Sequence, residues 1–193
     1  MMEMEFRNDQ LSLQELLCLK VFNETFQVIG LDDYTKAITD WAEREIIAGE
    51  ESDTLLILAS LSLEPKPDRH DVEKYLRIYQ REKNIQNPDS KYSALVWLRM
   101  KIGDLITAST SNEIEKKLAF FTNYFLDYSP RAFARIANLT SNFYWELYDE
   151  AIPVFNSRAS EMSEHELVTY VRTRLLPFYR ILCNRDWLRI LAG

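Results

Sequence analysis

Glycine is scarce in this chain, and its scarcity closes off several folds and activities. Only Gly30, Gly49, Gly103 and Gly193 occur in 193 residues. Hairpin turns and phosphate-cradling loops need backbone at positive φ, which glycine adopts with least strain. Accordingly, there is no Gly-rich phosphate loop and no Gly-x-Ser-x-Gly nucleophile elbow. Cysteine is almost as rare. Cys18 and Cys183 lie at opposite ends without the paired spacing of a metal knuckle, and they read as buried free thiols of a reducing compartment, a stapling disulfide being the lesser alternative. Histidine is limited to His70 and His165. Long apolar runs are missing too: Leu55 to Leu63 is interrupted by Ser60 and Ser62 and is about half the ~20 residues of a membrane span. The amino terminus, Met1-Met2-Glu3-Met4-Glu5-Phe6, carries acid where a secretory signal carries base, and no apolar segment follows. The expectation is a cytoplasmic protein.

What is abundant is core material. Hydrophobic residues make up 47% of the chain, including ten Phe, ten Tyr and four Trp, enough for one well-buried core. The periodicity is helical almost throughout. Ser12-Leu13-Gln14-Glu15 is a capping box opening a helix that the pattern carries to about Ile29 and Gly30. A second helix is predicted from about Asp32 to Gly49, with Tyr34, Ala37, Ile38 and Trp41 inward. A third, capped by Ser52 or Asp53, contains Leu55-Leu56-Ile57-Leu58-Ala59; being apolar all round, it is the candidate central helix. Pro65 and Pro67 break the chain and Asp68 restarts it, with Tyr75, Leu76, Ile78 and Tyr79 inward.

Asn87-Pro88-Asp89 precedes a fifth helix carrying Leu95, Leu98, Ile102 and Leu105. Capping boxes recur at Thr110-Ser111-Asn112-Glu113 and Ser163-Glu164-His165-Glu166, and Ser129-Pro130 marks another helix start, whose segment Pro153 ends or kinks. Pro177 is expected to kink or end the helix opened at Ser163. A short helix from about Asp186 to Leu191 follows. The resulting expectation is an all-α, single-domain multi-helix bundle of about eight or nine helices spanning residues 1–193.

Charge is distributed unevenly. Met1 to Pro65 holds fourteen acids against four bases, whereas the remainder carries 16 acids and 19 bases. Such a field governs which partners approach and how fast, more than which fold forms. Its densest part runs from Asp32 to Asp53, where Asp32, Asp33, Asp40, Glu43, Glu45, Glu50, Glu51 and Asp53 face only Lys36 and Arg44. Helix caps and a solvated face account for any one of these acids; six uncompensated charges in twenty-two residues exceed what capping requires.

Catalytic constellations are weak. His70-Asp71 has the residue types of a phosphohydrolase ligand pair, but two histidines without cysteine partners do not complete a zinc set, and a helix first turn explains the pair. His165-Glu166 belongs to a capping box, and the Glu-x-x-His copies of a di-iron bundle are missing. Asp32-Asp33 begins like a prenyl-diphosphate metal motif, but Lys36 stands where a third carboxylate belongs. The expectation is no metal, no cofactor and no enzymatic activity. Arg172, Arg174, Arg180, Arg185 and Arg189 interleave with Tyr170, Tyr179 and Trp187, a mixture nucleic-acid binders use. A pI near 5.0 argues against that role, and pairing of these arginines with the acidic first third is the plainer expectation.

The stretch from Trp41 to Leu61, WAEREIIAGEESDTLLILASL, resembles a helix, Gly, acidic turn and Leu-Ala helix found in small bacterial helical proteins. Many of these are immunity proteins of polymorphic toxin and contact-dependent growth inhibition systems. The likeness covers residues 32–64, about a sixth of the chain. It implies a cytoplasmic protein that binds one cognate toxin domain, commonly a basic nuclease acting on RNA, and blocks its active site. On that reading the partner-binding residues are Asp33, Asp40, Glu43, Glu50, Glu51 and Asp53, with buried aromatics supplying most of the affinity, and neither nucleic acid nor membrane is bound directly. Two alternatives stand beside it: a helical adaptor that binds without inhibiting, and a metal-dependent hydrolase using His70, Asp71 and His165.

Overall fold

The protein is described by a computed structural model over residues 11–26, 34–124, 131–148 and 158–193. These residues contain ten α-helices and one 3-10 turn, and no strand occurs among them. The chain is all-α, as its periodicity predicts. The helices are α1 (Leu13–Phe26), α2 (Tyr34–Ile47), α3 (Asp53–Ser60) with the 3-10 turn Leu61–Leu63, α4 (Arg69–Glu82), α5 (Ser90–Thr107), α6 (Ser111–Tyr124), α7 (Arg131–Tyr148), α8 (Arg158–Glu161), α9 (Glu164–Cys183) and α10 (Arg185–Ala192). The additional element relative to the expected eight or nine is the single turn α8, too short to leave a periodic signature. The Ile29–Gly30 end of the first helix, the Ser129-Pro130 start and Pro153 lie outside the described residues.

The chain gathers into two compact units, Asp9–Ser93 and Ala94–Gly193. In the first, α2 packs on α1, α3 and α4, and α3 on α4. Leu16, Phe22, Ile38, Leu55, Leu58, Val72 and Leu76 are fully buried there. The helix starts follow the anticipated chemistry. Ser12 N–H donates to Glu15 Oε2 at 2.8 Å while Glu15 N–H reaches back to Ser12 Oγ at 3.4 Å. Ser52 Oγ accepts from Leu55 N–H, and Asp68 Oδ1 accepts from the N–H groups of His70 and Asp71.

α3 is not the helix buried all round. Thr54, Leu55, Leu58 and Ala59 face inward, but Leu56 is 57% exposed and Ile57 39%. Two neighbours, α2 and α4, cover one side of a two-turn helix, and an unbroken Leu-Leu-Ile-Leu run carries no polar residue to mark the other. Burial on every side is found instead in α5, where six consecutive residues, Ser93 to Leu98, are buried.

In the second unit the Trp97 ring of α5 lies 5.8 Å from Phe120 of α6 and 6.0 Å from Phe133 of α7. Arg172 Nε of α9 donates to the Ile106 carbonyl at 3.0 Å, and Lys117 Nζ of α6 to that of Asp104 at 2.9 Å. Gly103 lets α9 come close: a Cβ at that position would stand 3.1 Å from the Tyr179 ring. α9 opens with the full Ser163–Glu166 capping box and continues through Pro177 to Cys183, so proline does not end it. Cys18 is buried as expected; Cys183, in the last turn of α9, is exposed, contrary to the sequence expectation, because the inward line there runs through Leu175 and Leu182. Neither forms a disulfide.

Candidate functional site

The acidic segment singled out in the sequence forms the α2–α3 connection, and its shape follows from Gly49. Glu50 N–H donates to the Glu45 carbonyl and Gly49 N–H to that of Ile46, both at 3.0 Å, while Gly49 holds φ at +96°. This pair of bonds around a left-handed residue is the Schellman ending, which satisfies carbonyls that a helix terminus leaves free. The chain then turns through Glu50, Glu51 and the Ser52 cap into α3.

α4 fixes the turn from below. Thr54 Oγ1 donates to Glu82 Oε1 at 2.6 Å, and Lys83 Nζ bonds Glu50 Oε1. The Glu50 bond raises the Lys83 ammonium above its ordinary value by stabilising its charged form. Beneath the turn, Trp41 meets Tyr79 edge-on at 5.7 Å, and both rings are buried. Burial, followed by the nearby Glu50 charge, raises the Tyr79 phenol. α4 ends in a second Schellman turn, with Asn84 at φ +54° and Ile85 N–H bonding the Gln80 carbonyl at 2.7 Å.

The six sequence-predicted binding residues meet different fates. Asp33 lies outside the described residues. Asp40 is half-buried and accepts from Lys36 Nζ at 2.7 Å, an amine that also bonds the Ser62 carbonyl at 2.8 Å. Glu43 is exposed and accepts from Ser62 Oγ at 2.9 Å. Glu50 is engaged by Lys83, whereas Glu51 and Asp53 are exposed at the turn and in the first turn of α3. Sequence spacing gave no indication of the roles of Lys83, Ser62 and Glu82, because each reaches the site from a later element.

Four large apolar residues accompany these acids in the open: Ile47 (79% exposed) at the end of α2, Leu56 and Ile57 on α3, and Leu63 (85%) on the 3-10 turn. The turn therefore offers negative charge beside aliphatic surface and contributes no aromatic ring of its own.

The other candidate sites resolve into local structure. His70 and Asp71 occupy the first turn of α4 under the Asp68 cap. His165 is exposed in the first turn of α9, beside a cavity of about 500 Å³ lined by Met162, Glu166 and Tyr170 among others. Among the described residues, no group of three or more His, Cys, Asp or Glu side chains could hold a metal ion. Arg172 bonds Ile106, and Arg174 bonds the Tyr170 hydroxyl at 3.0 Å with Glu146 Oε1 3.7 Å away, so both are engaged inside their own unit. No described helix is long and apolar enough to cross a membrane. No protein-family model, curated protein or solved structure matches the chain.

Proposed function

We propose that this chain is an immunity protein: it binds a cognate basic toxin domain in the cytoplasm, a nuclease with an RNase favoured, and neutralises it by covering the active site with the acidic α2–α3 surface. It does so as a binder, without catalysis, metal or cofactor. The observation that carries this reading is the exposure of Glu43 on α2 and of Glu51 and Asp53 at the α2–α3 turn, where the flanking side chains of Glu50 and Thr54 bond Lys83 and Glu82 at the end of α4. Asp40 pairs with Lys36 and Glu50 with Lys83, and the exposed Glu43, Glu51 and Asp53 leave the face acidic. A nuclease cleft built for phosphate presents the complementary field, and such charge pairs accelerate encounter and discriminate against wrong partners. Two helix faces and their turn can supply ~800 Å² per partner, the size of a standard stable interface.

The test is co-expression with the product of the neighbouring upstream reading frame, scored for growth rescue and co-purification. Wild type is expected to rescue growth and form a stoichiometric complex. The triple reversal of Glu43, Glu51 and Asp53 to Lys is expected to lose rescue and slow association at least tenfold at low salt. Unchanged rescue by the reversed protein rejects the acidic interface. A complex without protection from growth arrest means that the chain is a non-inhibitory adaptor.

A further inference from the structure

We infer that the contact is anchored by an aliphatic strip along α3 and the 3-10 turn, and that the strip receives an amphipathic helix of the partner carrying Lys or Arg beside its apolar face. This rests on the reading above and names what that reading leaves open, the source of the affinity and the shape of the bound element.

The strip follows from helix geometry. Thr54, Leu55, Leu58 and Ala59 are spent on the core, so Asp53, Leu56, Ile57 and Ser60 share the outward line at spacings of three and four. Leu63 is exposed on the 3-10 turn that directly follows α3, and Ile47 is exposed at the end of α2, the helix that packs on α3. Scattered exposed hydrophobics are ordinary, whereas apolar side chains gathered on one surface are what interaction sites use, and Leu56, Ile57 and Leu63 fall within eight residues of chain. Asp53 to Leu63 extends about 15 Å at 1.5 Å per residue, matching two to three turns of a docked helix.

Charge selects the occupant. Glu43, Glu51, Asp53 and Glu64 are exposed around the strip. Of the bases on the same stretch, Lys36 is tied to Asp40 and Ser62, and Arg44 donates to the Leu11 carbonyl at 3.1 Å; Lys66 is exposed. The rim therefore favours a cationic segment over an anionic one. Aliphatic anchoring departs from the sequence expectation that aromatics supply the affinity: at this turn Trp41 and Tyr79 are buried against each other.

Methyl-resolved NMR of the full chain tests this with an 18-residue Leu–Lys amphipathic helical peptide as probe and a Leu–Glu peptide as its control. The Leu–Lys peptide is expected to shift Ile47, Leu56, Ile57 and Leu63, and the Leu–Glu peptide to leave them unmoved. The Leu56→Ser/Ile57→Ser/Leu63→Ser variant, with an unchanged melting temperature, is expected to weaken that binding at least tenfold. Shifts confined to other residues, equal binding of the Leu–Glu peptide, full binding by the variant, or a strip already closed by a second copy of the chain would each overturn the inference. In the co-expression assay, a triple-Ser variant that rescues fully while the charge-reversed protein does not removes the strip and leaves the immunity reading standing. Absence of rescue by wild type removes the immunity reading, and the peptide maps then decide the strip by themselves.

Discussion

Tyr34 Oη donates a 2.7 Å hydrogen bond to Glu73 Oε1, tying the first residue of α2 to the second turn of α4. Arg69 Nε donates to the same oxygen at 2.7 Å, and its guanidinium carbon lies 5.2 Å above the centre of the Tyr34 ring. Burial, reinforced by the bond to Glu73, raises the Tyr34 phenol far above its ordinary range. Burial pushes Glu73 upward as well, but the bonds from Arg69 and Tyr34 outweigh it and hold the carboxyl below its usual 4.5.

The sign of the pH dependence follows. A carboxyl with a depressed folded pKa stabilises fully above its unfolded value and loses that contribution as pH falls through the folded value. Stability is expected to decline below about pH 4.5 in part through Glu73. Tyr34→Phe removes one donor, costs about 1 kcal/mol at neutral pH and flattens this acid limb. Urea unfolding of both proteins between pH 3 and 7 checks it; parallel curves would mean that the bond does not set the Glu73 pKa.

At Gly49 the space that a side chain would enter is open, with nothing within 4 Å of an added Cβ, so only backbone strain opposes substitution. Gly49→Ala is expected to cost about 1–2 kcal/mol, the left-handed penalty of an L-residue. Gly49→Asn should cost less, since Asn84 occupies the equivalent place in the α4 ending. Chemical denaturation of the two variants ranks them; equal losses would contradict a purely conformational origin.

Pro177 sits exposed inside α9 and leaves that helix one backbone donor short. Pro177→Ala supplies an N–H four residues beyond Thr173 and is expected to stabilise by about 1–2 kcal/mol. That is the interior-proline penalty of about 3 kcal/mol, reduced because proline also stiffens the unfolded chain. Thermal unfolding measures the gain, and a lower melting temperature would show that α9 depends on the proline for its course.

The two thiols should titrate in separate stages. Cys183 is exposed and is expected to react with a disulfide reagent in the native protein, while buried Cys18 reacts only on unfolding. Two fast thiols under native conditions would place Cys18 at the surface.

Much of the fold was legible because helix starts have local chemistry. Ser12, Ser52, Asp68 and Ser163 each cap within a few residues, and their bonds lie where the side-chain pattern puts them. Circumferential burial was not legible for α3, since a run of Leu and Ile looks alike whether one side or every side is covered. α10 begins one residue earlier than expected because Asn184, not Asp186, accepts from the first free amides. Within the candidate site, the acids and Gly49 were visible in the sequence. Lys83, Glu82 and Ser62 were not, being brought there by packing across nineteen to thirty-three positions of chain.

The division of labour on α3 has an evolutionary corollary. Leu55 and Leu58 hold the helix in place, whereas Asp53, Leu56 and, in part, Ile57 are open to solvent. Replacements at outward positions ordinarily shift stability by no more than about 0.5 kcal/mol. Descendants of this chain can therefore drift freely along one side of eight residues, acquiring new molecular preferences while the scaffold beneath them is inherited unchanged.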